Sequence, residues 1–90
     1  MFNDLLPISV EDANYDDLLD VIARRVGELI EEDASLLFSY MYRLDIDEQK
    51  LKHAIQHYSG DLRINALAEL ILKRQLLRIE LRKKYGSSNN

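Results

Sequence analysis

Residues 61–85 form the segment that most constrains the fold of this chain. The segment, DLRINALAELILKRQLLRIELRKKY, contains no glycine or proline and consists mostly of residues with high helix propensity. A helix of this length would extend for about 37 Å, which is more than the other predicted helices reach. We therefore expect it to be the spine of a compact all-α protein, against which three shorter helices pack.

Capping signals place the three shorter helices before this segment. Each helix follows an Asn or Asp, whose side chain can accept a hydrogen bond from the free N–H groups of the first turn. Apolar residues recur every three or four positions within each helix, as expected when one face is buried. The predicted helices and their N-cap residues are 15–31 after Asn14, 34–44 after Asp33, and 48–58 after Asp47.

The remaining signals mark the ends of a single helical domain, residues 14–85. Gly60 can adopt the left-handed conformation that ends a helix, and Asp61 is expected to cap the long helix. A proline within residues 1–13 disfavours helical geometry, so we predict an extended arm that packs on the bundle or on a neighbouring subunit. The polar residues 86–90 are predicted to be a disordered tail.

Composition favours a cytoplasmic protein. The 90-residue chain has no cysteine, so neither a disulfide framework nor a thiol nucleophile is expected. No apolar run reaches the length of about 18 residues that a membrane-spanning helix needs. The first residues also lack the cationic and apolar regions of a secretion signal.

The long helix carries more apolar surface than one seam can bury. One row contains Leu67, Leu70, Ile71, Leu77 and Leu81, and a second row, displaced around the helix, contains Leu72, Leu76 and Ile79. The three short helices are expected to cover the first row. We predict that the second row forms the interface of a homodimer, in which both subunits use the same surface. The alternative is that the N-terminal arm covers the second row within one chain.

Few residues suggest catalysis or metal binding. His53 and His57 share a helix face and could hold a metal ion, but the chain has no third histidine. Asp45, Asp47 and Glu48 form an acidic cluster, which helix capping by Asp47 explains without a catalytic role. The chain contains no phosphate-binding glycine-rich loop, no calcium-binding loop and no nucleophile motif. We therefore predict a non-enzymatic protein that needs no metal or other cofactor.

Positive charge concentrates near the end of the long helix, although the chain has a net charge of −4. Residues 1–33 contain ten acids and two bases, a balance of −8, so the two ends of the chain differ in sign. Tyr42, Arg43, Arg78 and Arg82 are of residue types that are enriched at interface hot spots. We predict that these four residues contact an unidentified protein partner.

Nucleic-acid association is the alternative function. Arg74, Arg78 and Arg82 are spaced by four, and such a row can follow phosphates. An acidic chain is unlike a typical nucleic-acid-binding module, and no helix-turn-helix signature is present. Pairing of these arginines with acids of the first helix, or of a second subunit, is therefore favoured over nucleic-acid binding.

Several short motifs resemble a known group of proteins. Leu44-Asp45-Ile46-Asp47-Glu48 follows an aromatic-rich helix, and Ala68-Glu69-Leu70-Ile71 and Arg74-Gln75 lie in a long helix with a basic end. Over about residues 15–85 the pattern resembles a group of short bacterial helical proteins of uncharacterised function. The resemblance implies a helical fold and implies no activity or site residues.

Overall fold

The computed structural model describes residues 14–86, with side chains as far as Arg82. Four α-helices account for nearly all of these residues, and no strand occurs among them. In chain order the helices are α1 (Tyr15–Glu32), α2 (Ala34–Arg43), α3 (Glu48–His57) and α4 (Gly60–Gly86). The predicted all-α fold, with three shorter helices on one long helix, is confirmed. The predicted arm, residues 1–13, and residues 87–90 of the predicted tail lie outside the described residues.

Side-chain caps begin the first three helices where the sequence predicts them. The side-chain oxygens of Asn14, Asp33 and Asp47 each accept a hydrogen bond, at 2.8–3.1 Å, from a backbone N–H in the following turn. Asp33 is also the only residue between α1 and α2, and its own N–H donates to the carbonyl oxygen of Leu29 at 2.8 Å. One residue thus ends α1 and starts α2, which fixes a sharp reversal between them.

The turn between α2 and α3 contains a left-handed aspartate. Asp45 has φ of 61°, a conformation that costs Asp less than most other residues. Its N–H donates to the carbonyl of Tyr42, and the N–H of Ile46 donates to the carbonyl of Met41. This pair of bonds is a Schellman motif, with Asp45 in the position that glycine usually occupies.

The start of α4 differs from the prediction in one respect. Gly60 has φ of 56°, the predicted left-handed conformation, but α4 already begins at this residue. The carbonyl of Ser59 accepts the N–H of Arg63, the first helical hydrogen bond. Asp61 therefore lies within the first turn, and the prediction that it caps α4 is wrong.

The core lies where α1, α2 and α3 meet one side of α4. Its buried apolar residues are Leu18, Ile22, Val26, Leu29, Leu37, Met41, Leu44, Ala54, Leu67, Ala68, Ile71 and Leu72. The most extensive contacts are between α1 and α4. Because α1 supplies a buried residue at every turn, with spacings of four, four and three, it can cover α4 along most of its own length.

The buried face of α4 overlaps only in part with the row that the short helices were expected to cover: Leu67 and Ile71 of that row are buried, as expected. Leu72 is 0% exposed, so the prediction that it belongs to an interface between subunits is wrong. Leu77 and Leu81, which the short helices were expected to cover, are each 42% exposed, and that expectation is wrong. Leu76 and Ile79 are half-buried. The buried face is centred on Ala68, Ile71, Leu72 and Gln75, about a quarter-turn away from the predicted face.

The described molecule is elongated along α4. Its principal extents are 44, 25 and 20 Å, and the 27 residues of α4 span about 40 Å. We call residues 60–75 the proximal segment of α4 and residues 76–82 the distal segment. Every fully buried residue of α4 lies in the proximal segment. The distal segment therefore carries its leucines past the part of the helix that the core covers.

Candidate functional site

An apolar row remains at the surface of α4, and we call it the outer row. It consists of Leu62, Ala66, Leu70, Leu77 and Leu81. Spacings of four, four, seven and four place these residues on one face of the helix. Over 19 residues the row is about 28 Å long, interrupted only where Lys73 and Arg74 replace an apolar residue. Leu62, Leu77 and Leu81 are exposed, whereas Ala66 and Leu70 are half-buried against the core.

The proximal part of the outer row faces α3 across an open groove, which we call the α3/α4 groove. Its apolar floor is formed by Ala54, Tyr58, Leu62, Ala66 and Leu70, and its volume is about 490 Å³. Leu62 is 66% exposed, although it lies on the floor, because nothing among the described residues covers it. The groove is therefore wide enough to receive apolar side chains from another segment.

Two lysines and one glutamate border the α3/α4 groove. Lys50 projects from α3, and Lys73 and Glu69 project from α4. The amino group of Lys73 lies 3.9 Å from the carboxylate of Glu69, in an exposed ion pair. The same two lysines and Leu70 also line a smaller depression of about 240 Å³ that continues towards Ile46 and Leu77. Asp45, Asp47 and Arg74 also line this depression, so charges of both signs lie beside the middle of the outer row.

The sequence places Arg74 in a row of arginines that could follow phosphates. In the structure, Arg74 instead has a structural role. Its Nε donates to the carbonyl oxygen of Leu44 at 2.8 Å, and its guanidinium lies 3.9 Å from the Asp45 carboxylate. The arginine thus binds the end of α2 and the left-handed residue that follows it. Its position in the middle of an apolar row was the available signal, because a cation there must find a partner.

Arg78 and Arg82 are exposed, one turn apart on the distal segment. Arg78 lies close enough to Tyr40 for its charge to act on the phenol. Burial raises the pKa of Tyr40, while the hydrogen bond from Gln75 and the charge of Arg78 lower it to a smaller extent. The structure therefore brings Arg78 near α2 and leaves its guanidinium in contact with solvent.

Tyr42 and Arg43 are also exposed, at the end of α2. Tyr42 is 79% exposed, the largest value among the exposed apolar side chains of the described chain. Both residues border a shallow depression that Phe38 and two serines complete. The four predicted partner-binding residues are thus all accessible.

Two polar residues that the sequence analysis did not select connect the helices. Gln75 is buried, and its amide nitrogen donates to the Tyr40 hydroxyl, which joins α4 to α2. Arg63 donates to the carbonyl oxygens of Ile55 and Tyr58, at 2.7 and 2.9 Å, and so satisfies the end of α3. A cation is favoured at the end of a helix, but no local pattern identifies which helix it serves.

The histidine pair has an ordinary explanation. The rings of His53 and His57 stack with their centroids 4.1 Å apart, and both side chains are exposed. Nδ1 of His57 lies 3.2 Å from the backbone carbonyl oxygen of His53. Within residues 14–82, no group of three His, Cys, Asp or Glu side chains is arranged to hold a metal ion.

These features define a class of protein: a small four-helix protein whose long helix has one buried face and one open apolar face. Comparison with family models, curated proteins and solved structures returns no match to this chain. None of the described helices combines the length and the hydropathy needed to cross a bilayer.

Proposed function

We propose that this protein is a non-enzymatic interaction module of the cytoplasm that forms homodimers through the distal segment of α4. The observation that carries the proposal is the exposure of Leu77 and Leu81 on one face of a helix that passes beyond the core. Exposed leucines at helical spacing favour a second helix as their cover. Ile79 and Leu76, both half-buried, border this pair and add apolar area at its edge.

A two-fold arrangement suits these residues. Antiparallel pairing of two distal segments would pack Leu77 of each subunit against Leu81 of the other, with both subunits using the same surface. A stable interface buries about 800 Å² of each partner, which is more than two leucines supply. Contacts of the helix flanks beside the outer row would therefore be needed, and Leu70 and Ile46 lie in the right direction.

Contacts to a further protein would use the exposed side chains of Tyr42, Arg43, Arg78 and Arg82. Their accessibility supports this role, and Tyr and Arg contribute disproportionately to binding energy. An acidic partner surface would match the three arginines.

Sedimentation equilibrium tests the dimer. We expect the wild-type chain to show a monomer–dimer equilibrium at micromolar concentrations, and the double variant Leu77→Lys/Leu81→Lys to remain monomeric with unchanged helical circular dichroism. Leu62→Lys is the matched control, because Leu62 is exposed on the same row but lies at the other end. A wild-type chain that stays monomeric at hundreds of micromolar would rule out the dimer.

Nucleic-acid association through Arg78 and Arg82 is the second candidate, supported by their exposure one turn apart. The use of Arg74 within the chain shortens the basic row, and the net charge of −4 opposes approach to phosphates. A gel-shift assay at low salt with random duplex and single strands tests this function. Retardation that weakens steeply with added salt would favour it over the protein-interaction role.

A further inference from the structure

The α3/α4 groove lies beside the point at which the chain enters α1. Gly27, near the end of α1, packs against Ile64 near the start of α4, whereas Tyr15, at the beginning of α1, lies by Glu69 further along. The two helices are therefore antiparallel. Partial burial, followed by the charges of Glu69 and Asp16, raises the pKa of Tyr15, which places this phenol near the Glu69 carboxylate. Asp20 of α1 and Asn65 of α4 line one depression, and Asn65 and Glu69 also border the groove, so the beginning of α1 lies on the side of α4 that adjoins the groove.

The residues that precede Asn14 have the pattern of a strand-like ligand. Leu6, Ile8 and Val10 alternate with Pro7 and Ser9. In an extended segment, alternate side chains point to the same side, so the three apolar residues share one face. Pro7 favours extended geometry at its own position and at the residue before it.

Reach and charge both fit the groove. Four extended residues span about 13 Å, and the distance along α4 from Glu69 to Leu62 or to Leu77 is about 10–12 Å. Residues 1–13 contain three acids and no Lys or Arg. Lys50 and Lys73 at the rim provide the opposite charge, although Glu69 offsets part of it.

We propose that the α3/α4 groove is the docking site of the chain's own N-terminal segment, residues 6–10, with Leu6, Ile8 and Val10 on the floor formed by Leu62, Ala66 and Leu70. The segment would bind within the same subunit, because α1 begins on the side of α4 that adjoins the groove and short tethers give high effective concentrations. This site lies in the proximal segment of α4 and shares only Leu70 with the flank that the proposed dimer could use, so docking does not require the dimer.

The docking can be tested by the paramagnetic broadening of backbone amide NMR signals near a spin label. The chain has no cysteine, so a single cysteine can be introduced to carry the label. Ser9→Cys places the label on the face of the segment that points away from the groove. We expect loss of amide signal intensity at Leu62, Ala66 and Leu70, and unchanged signals at Ser35 and Ser39 of α2. The experiment is performed on the full chain and repeated with the double variant Leu77→Lys/Leu81→Lys, which is expected to be monomeric. The same broadening in both samples would show that docking does not require the dimer.

Matched substitutions in the labelled chain identify the docking face. Leu6→Asp with Ile8→Asp should sharply reduce the broadening of the groove amides, whereas Leu5→Asp, an Asp substitution on the opposite face, should leave it unchanged. These substitutions lie outside α1–α4, so the circular dichroism of the four described helices should be unchanged. Broadening that is absent, or equal on the groove and on α2, would overturn the proposal.

A mixed sample identifies the source of the docked segment. Isotope-labelled chain without the spin label is mixed with spin-labelled chain that carries no isotope. We expect no broadening in this sample. Broadening of groove amides there would mean that the segment comes from a second copy, and the proposal of docking within one subunit would be wrong.

Discussion

The proximal and distal segments of α4 are similar in composition and have different environments. Each contains leucines at helical spacing and arginines between them. In the proximal segment Leu67, Ile71 and Leu72 are buried and Arg74 binds the end of α2; in the distal segment Leu77 and Leu81 remain exposed. The proximal segment therefore has fully buried leucines where α1, α2 and α3 reach it, although Leu62 at its start is 66% exposed, and the distal segment has none.

The largest expected difference between the segments is in the cost of removing a leucine. Leu72→Ala leaves a cavity in the core and should lower the free energy of unfolding by about 2–5 kcal/mol. Leu81→Ala, at an exposed position, should change it by about 0.5 kcal/mol or less. Urea unfolding followed by circular dichroism, at a concentration where the chain is monomeric, measures both. Equal losses for the two variants would mean that the distal segment is also covered.

The two arginines provide the next comparison. Arg74→Met removes the donor to the Leu44 carbonyl and should cost about 1–3 kcal/mol of unfolding free energy. Arg78, one turn later, has an exposed side chain, so we expect Arg78→Met to change the free energy of unfolding by about 0.5 kcal/mol or less. If the Arg78 variant loses as much stability as the Arg74 variant, Arg78 is a structural residue and not a candidate for partner contact.

The turn that Arg74 binds offers a stabilising substitution. Asp45→Gly removes the strain of a left-handed side-chain-bearing residue and should raise the free energy of unfolding by about 1 kcal/mol. The lost contact with Arg74 should matter little, because the Asp45 side chain is exposed and the atoms are 3.9 Å apart. Thermal unfolding checks this, with Asp47→Gly as control, which should be slightly destabilising through its cap. A clear destabilisation by Asp45→Gly would mean that the ion pair between Arg74 and Asp45 contributes to the stability of the fold.

The smallest effect concerns pH at the boundary between the two segments, where Tyr40 meets Gln75. Since burial raises the pKa of Tyr40, the folded chain holds this proton more tightly than the unfolded chain, whose tyrosine pKa is about 10. The stabilising contribution is complete below that pH and is lost as pH rises through the folded pKa. Tyr40→Phe should therefore reduce the fall in melting temperature between about pH 9 and pH 11. If the melting temperature of this variant falls with pH as steeply as that of the wild type, the burial of the phenol would be contradicted.

Part of the candidate site was predictable from local patterns. The exposure of Tyr42 and Arg43 follows from their position off the apolar stripe of α2, and the exposure of Arg78 and Arg82 from their charge. The position of Arg74 in an apolar row indicates that it has a partner but not which one, because Leu44 is 30 residues away and a carbonyl at a helix end has no sequence signature. Gln75 and Tyr40, 35 residues apart, present the same difficulty.

The sequence by itself determined the four helices and most of their boundaries. Caps such as Asn14, Asp33 and Asp47, and the left-handed Gly60, act on backbone groups within a few residues, so neighbouring residues suffice to predict them. Only the tertiary structure decided which side of α4 is buried. Apolar residues occur around much of this helix, and the face that loses water depends on where α1, α2 and α3 pack. Burial is a property of the whole assembled core, and for that reason Leu72 is enclosed while Leu77, five residues later, is not.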